Sequence, residues 1–97
     1  MSEKTTQKAL SLTRKALSGI DEELQLHTEG RGRVSSAQQL SSIRGQLEQV
    51  AVQLSSSALP PTPQRLRGIG RVITDSWPYD NPLGSLILEA ERLYLKA

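Results

Sequence analysis

Apolar residues recur at steps of three and four along most of this chain, which is the spacing of an α-helix with one buried face. The first such stretch runs from about residue 3 to residue 27, and its apolar positions include Leu12, Ala16, Leu17, Ile20 and Leu24. Gly30 and Gly32 follow among charged residues and favour a mobile connection. We therefore predict one long amphipathic helix that ends in a turn over residues 29–33.

The second stretch has the most regular pattern in the sequence. Its apolar positions alternate in steps of three and four: Leu40, Ile43, Leu47, Val50 and Leu54. Ser35 and Ser36 precede it, and a glutamine three residues after each serine matches the spacing of a capping box. Because the pattern spans only about two heptads and has no opposing charge ladder, we predict a hairpin with the first helix rather than a free coiled coil.

Two further helices begin with the same signal, a capping residue followed by proline. Thr62-Pro63 begins a third helix and Asn81-Pro82 begins a fourth. The apolar positions of these two helices are Leu66, Ile69 and Ile73, then Leu83, Leu86, Ile87, Ala90 and Tyr94. Gly68 and Gly70 fall inside the third helix, where each weakens it by about 1 kcal/mol relative to alanine.

Four amphipathic helices joined by short connections indicate an all-α fold, since no segment shows the sustained alternation of a strand. We predict a compact antiparallel four-helix bundle built from two helical hairpins. The 97 residues are expected to form a single domain, residues 1–97, because a chain of this size buries roughly two-thirds of its unfolded surface.

The charged residues are interspersed, with 12 Lys and Arg against 10 Asp and Glu and a formal net charge of +2. This balance describes a weakly basic surface rather than a nucleic-acid-binding arm. The chain contains no cysteine, which excludes disulfides and cysteine-based catalysis or metal binding. Residues 1–8 lack the apolar region of a signal peptide, and no apolar run approaches the ~18 residues of a membrane helix. We expect a soluble, cytoplasmic protein without a membrane partner.

Catalytic motifs are missing from the sequence. The single histidine, His27, lies at the end of the first helix, where interaction with the helix dipole is a better explanation than general-base catalysis. Glu89 and Glu91 stand two residues apart, so on a helix they face different directions and are expected to lie on the solvated face. No nucleophile elbow, phosphate-binding glycine loop or metal-ligand spacing is found. We therefore predict no catalytic, cofactor-binding or metal-binding residues, and no enzyme.

Two of the three aromatic residues, Trp77 and Tyr79, lie in one turn-rich segment, residues 75–82. Pro78 and Pro82 restrict the preceding residues to extended conformations, which favours an exposed loop. Tryptophan and tyrosine are frequent anchors of protein interfaces. The alternative is that Trp77 fills a small core that lacks phenylalanine. Both interpretations are open at the level of sequence.

Three short motifs stand out in the second half of the chain: Ser36-Ala37-Gln38-Gln39-Leu40-Ser41-Ser42-Ile43-Arg44, Arg65-Leu66 and Asp80-Asn81-Pro82-Leu83. They resemble the small all-helical immunity proteins of bacterial type VI secretion. In particular, they are similar to the immunity family that neutralises a secreted NAD(P)-degrading toxin. The likeness covers roughly residues 36 to 97. It implies an immunity protein of interbacterial competition, an antitoxin that binds a cognate toxin domain and blocks its active site.

An acidic aromatic loop suits such a partner, because a toxin cleft that admits an anionic dinucleotide is often lined with cations. We predict the first partner-binding residues to be Asp75, Trp77, Tyr79 and Asp80. The acidic end of the first helix is a second candidate face, although its residues are also typical of a solvated surface: Asp21, Glu22 and Glu23.

Two other functions are compatible with the sequence. A nucleic-acid-binding helical module would use Arg65, Arg67 and Arg71, but these side chains do not share one helical face, and nucleic acid is not the expected partner. A self-associating helical adaptor would use the seam from Leu40 to Leu54. A homodimer is compatible with the immunity hypothesis as well.

Overall fold

The computed structural model describes residues 3–56, 59–65, 68–78 and 80–97. It contains the α-helices α1 (Glu3–Thr28), α2 (Ala37–Ser55), α3 (Ile69–Ser76) and α4 (Pro82–Lys96), and a short 3-10 helix at Thr62–Gln64. Helix α1 packs against both α2 and α4, and α3 packs against α4. The prediction of an all-α bundle made from two hairpins, α1–α2 and α3–α4, is confirmed.

Helix α1 sets the length of the molecule. Its 26 residues span about 39 Å at the usual rise per residue, close to the longest dimension of 42 Å. Its buried positions recur every three or four residues: Ala9, Thr13, Ala16, Ile20 and Glu23. The Thr13 hydroxyl donates to the Ala9 carbonyl at 2.7 Å, so this buried polar group is satisfied within the helix.

The seam of α2 is buried inside the chain. Each of its five apolar residues, from Leu40 to Leu54, is at most 3% exposed. The first three belong to a cluster with residues of every other helix, including Ile20, Ile73 and Ile87. The last two belong to a second cluster around Tyr94. The hairpin with α1 and the contacts to α4 occupy this seam within the chain, which argues against self-association through it.

Ser36 caps the start of α2 as predicted. Its backbone is extended, and its hydroxyl oxygen accepts a hydrogen bond from the Gln39 backbone N–H at 3.1 Å. The Gln39 side chain does not complete a capping box. Its Oε1 instead accepts from the indole Nε1–H of Trp77 at 2.9 Å and from the Ser35 hydroxyl. The capping residue and the interior of the bundle are thus linked through one glutamine.

Replacing Ser36 with alanine is expected to lower the free energy of unfolding by about 1 kcal/mol, the usual effect of losing an N-cap side chain. Urea denaturation followed by circular dichroism measures this change. Ser36→Asn, which restores a capping acceptor, should return most of the lost stability. Equal stability of Ser36→Ala and the parent chain would contradict the cap.

The third helix starts later than predicted. Thr62-Pro63 begins only a 3-10 helix, and α3 begins at Ile69 after Gly68, whose φ of 101° places it in the left-handed region. The Glu91 carboxylate of α4 accepts from the backbone N–H groups of Ile69 and Gly70, at 3.1 Å each. Glu91, expected on the solvated face, therefore caps α3. Leu66, predicted on the apolar face of this helix, lies outside the described residues.

Candidate partner-binding groove

A groove of about 470 Å³ opens between the C-terminal half of α1, the α1–α2 loop (residues 29–36) and the start of α4. Its lining includes Glu22, Glu23, Arg33, Val34, Pro78 and Asp80. We call this the acidic groove. It brings residues of both faces predicted from the sequence into one concave site, because the α3–α4 connection lies beside the end of α1.

Glu22 and Asp80 are the exposed carboxylates of the acidic groove. Neither forms an ion pair with the described side chains, whereas most other described acidic residues of the bundle do. Asp21, for example, accepts from Arg44 of α2 at 2.6 Å and does not line the groove. The two groove carboxylates therefore remain available to a cationic partner.

Glu23 has a different role from the one predicted. It is only 2% exposed, and its Oε2 accepts from the backbone N–H groups of Arg33, at 2.5 Å, and Val34, at 2.9 Å. Its Oε1 accepts from the Arg33 guanidinium at 3.3 Å. Burial raises the pKa of Glu23, but these hydrogen bonds outweigh burial and keep the pKa below its ordinary value. The prediction that Glu23 belongs to an exposed partner-binding face is wrong, because its carboxylate holds the α1–α2 loop against α1.

His27 supports the same loop. Its Nε2 lies 3.0 Å from the Val34 carbonyl oxygen and 3.8 Å from Glu23 Oε2. A carbonyl oxygen only accepts, so Nε2 carries the proton in this contact. The histidine therefore bonds to the loop that follows α1, rather than serving only as a charge at the helix end.

Trp77 fills the core. It is 5% exposed, follows the last residue of α3, and donates from Nε1 to Gln39 Oε1 at 2.9 Å. A Cβ added at Gly84 of α4 would lie 3.3 Å from its ring, so α4 approaches the indole closely. The prediction of an exposed aromatic anchor at Trp77 is wrong, and the alternative of a core residue is confirmed. The cause is that α3 extends to Ser76 and directs the ring into the bundle.

Asp75, unlike Asp80, does not line the acidic groove. It is exposed on α3. Tyr79 lies outside the described residues. Of the seven predicted positions, Glu22 and Asp80 are the described ones that are exposed and line the groove. Sequence reasoning missed Arg33, Val34 and Pro78, because no local pattern shows that these residues approach the end of α1.

Arg65, the first cation of the nucleic-acid hypothesis, is an internal residue. It is 6% exposed, and its guanidinium donates to the carbonyl oxygens of Pro60 at 2.9 Å, Tyr94 at 3.0 Å and Ala97 at 2.7 Å. It also lies 5.9 Å from the centre of the Tyr94 ring. Arg65 therefore satisfies carbonyls at the end of α4 and is not available to phosphate. Arg67 lies outside the described residues, and Arg71 is exposed.

Two general features bear on the site. No helix in the described part of the chain is long and apolar enough to cross a membrane. The described histidine, aspartate and glutamate residues form no group of three that could hold a metal ion. The sequence matches no protein-family model and no curated protein.

Proposed function

We propose that this protein is an immunity protein of the type VI secretion kind, which binds the catalytic domain of a cognate antibacterial toxin and blocks its active site. The observation that carries this proposal is the acidic groove, where Glu22 and Asp80 are exposed without an ion-pair partner among the described residues. The motifs at residues 36–44 and 80–83 support the same class of partner. The protein would act in the cytoplasm of the producing cell.

Charge complementarity connects the groove to a toxin that degrades NAD(P). An enzyme cleft that binds an anionic dinucleotide presents cations or backbone N–H groups to the phosphates. Two unpaired carboxylates in a concave site can pair with such cations when the partner docks, and they disfavour anionic competitors. The acidic groove would therefore lie over the mouth of the toxin cleft in the complex.

The groove walls are held in place before any partner binds. On one side Glu23 fixes the backbone of Arg33 and Val34. On the other side Pro78 follows Trp77, whose indole is hydrogen-bonded to Gln39 inside the bundle. A preorganised surface loses less conformational entropy on association, and this favours the tight binding that an inhibitor needs.

Affinity capture of the tagged chain from its native lysate, followed by mass spectrometry, tests the proposed function. The expected result is one stoichiometric toxin-like enzyme domain, whose activity the purified protein inhibits in a one-to-one complex. Co-expression should protect cells from that domain. Recovery of nucleic acid, or of no other macromolecule, would overturn the immunity proposal.

The double variant Glu22→Lys with Asp80→Lys is expected to weaken toxin binding by about 100-fold or more, because it replaces attraction by like-charge repulsion at the groove. Isothermal titration calorimetry measures the change. The control is the double variant Glu3→Lys with Glu48→Lys, which changes the net charge of the protein by the same amount. Both of its positions are exposed and lie outside the groove lining, so it should bind the toxin as tightly as the parent chain does. If both double variants bind alike, the groove is not the docking site.

A further inference from the structure

The α1–α2 loop forms one wall of the acidic groove. Its residues Gly30, Arg31, Gly32 and Arg33 are exposed. Val34 is the loop residue whose side chain enters the core. The loop is therefore attached mainly through Val34 and through the polar contacts made by its backbone.

The carboxylate of Glu23 is the centre of those polar contacts. It accepts hydrogen bonds from the backbone N–H groups of Arg33 and Val34 and from the Arg33 guanidinium. The arginine side chain itself is 73% exposed. Bonds to a charged acceptor are stronger than neutral ones, and the burial of Glu23 limits competition from water. Loss of the charge would weaken all three of these hydrogen bonds.

The closed loop also contains a strained residue. Ser35 has a φ of 64°, which a non-glycine residue rarely adopts and which costs of order 1 kcal/mol or more. This conformation persists between the Val34 backbone, held by Glu23, and Ser36, which caps α2. Opening of the loop would release this strain, so the closed state depends on the contacts at Glu23.

We propose that the α1–α2 loop is a movable wall of the acidic groove, which Glu23 holds closed and which opens without unfolding of the four helices. Opening withdraws Arg33 and Val34 from the lining and widens the groove. Opening itself is a property of this chain alone. Its use in controlling partner binding rests on the proposed function.

The charged groups around Glu23 define how acid affects the loop. Arg33 faces it from the loop, His27 and Glu22 lie near it on α1, and Asp80 lines the same groove from the α3–α4 connection. The pKa of Glu23 is lowered in the folded chain, so its contribution is complete at neutral pH and is lost as pH falls through that lowered value. Acid should therefore open the loop.

Limited trypsin digestion tests the proposal, because trypsin cleaves after Arg31 and Arg33 within the loop. In Glu23→Gln at neutral pH, cleavage at these two sites is expected to accelerate by about tenfold or more, as for a loss of about 1.4 kcal/mol of local stability. Cleavage after Arg14, Lys15 and Arg44, which lie in helices, should stay slow. The matched control is Glu3→Gln, the same substitution at an exposed residue of α1 outside the groove lining, and its loop should be cleaved at the rate of the parent chain.

Hydrogen exchange of the parent chain provides a second measurement. The amides of Arg33 and Val34 should exchange through local opening, with a lower free energy than the core amides of α1 and α2. After correction for the intrinsic pH dependence of exchange, these two amides should exchange faster below pH 4.5, the ordinary pKa of the carboxyl. This increase in rate should be absent in Glu23→Gln. Unchanged loop cleavage in Glu23→Gln, or equally increased cleavage in the helices, would overturn the proposal. Neither result depends on finding a toxin.

Discussion

Replacing Trp77 with alanine is expected to lower the free energy of unfolding by about 3 to 5 kcal/mol. The indole is buried where α2, α3 and α4 meet, and its removal leaves a cavity beside Gly84. It also leaves Gln39 without the indole donor. For a domain of this size the whole free energy of unfolding is only about 5 to 15 kcal/mol. We therefore expect a fall in Tm of about 15 °C or more, measured by thermal denaturation.

Trp77→Phe separates the contribution of core packing from that of the hydrogen bond to Gln39, because it keeps a ring in the core and removes the N–H donor. Its loss should be clearly smaller than that of Trp77→Ala. Gln39→Leu removes the acceptor, and the cycle of single and double variants isolates the hydrogen bond. Trp77 is the sole tryptophan of the chain, so its fluorescence reports directly on burial. Water-exposed emission in the native state, or less than 1 kcal/mol lost on truncation to alanine, would be incompatible with its place in the core.

Replacing Arg65 with methionine is expected to lower the free energy of unfolding by about 3 kcal/mol or more, because each hydrogen bond from a charged donor contributes about 1.5 to 3 kcal/mol. Methionine keeps much of the apolar stem but leaves the carbonyl oxygens of Pro60, Tyr94 and Ala97 without this donor. Chemical denaturation with urea measures the loss, and the second apolar cluster around Tyr94 should be the part most affected.

Arg71→Met is the matched control for this experiment, since Arg71 is an exposed arginine on α3. Its effect should stay within about 0.5 kcal/mol. Arg65→Lys should recover only part of the lost stability, because an ammonium group cannot reach three carbonyl oxygens in the geometry of a planar guanidinium. Equal stability of Arg65→Met and Arg71→Met would show that the contacts of Arg65 are dispensable.

Trp77 and Arg65 show why the site was harder to predict than the fold. Tryptophan is frequent both in cores and at interfaces, and arginine is usually exposed. The residue type alone therefore favours no single place for Trp77 and the wrong place for Arg65. Their positions depend on partners 38 residues away, in Gln39, and 29 residues away, in Tyr94. No local pattern in the sequence predicts contacts between residues so far apart in the chain.

The acidic groove shows the same difference between what sequence predicts and what tertiary structure decides. Its relevant residues are Glu22, Glu23 and Asp80. The sequence pattern selected all three as polar candidates but did not distinguish their roles. Adjacent residues on a helix point about 100° apart, so the orientation of α1 in the bundle decides which carboxylate is exposed. Glu22 faces the groove, whereas Glu23 turns inward and meets the loop backbone ten residues further on.

The sequence by itself determined three of the four α-helices and much of their buried faces, because local hydrogen bonding and a periodic apolar stripe depend on residues three or four positions apart. It therefore predicted α1, α2, α4 and the all-α class correctly. The tertiary structure alone decided the start of α3, where Glu91 supplies the cap, and the burial of Glu23, Arg65 and Trp77. The physical reason is that desolvation and hydrogen bonding of these groups are set by distant segments, whose positions exist only after the helices have packed.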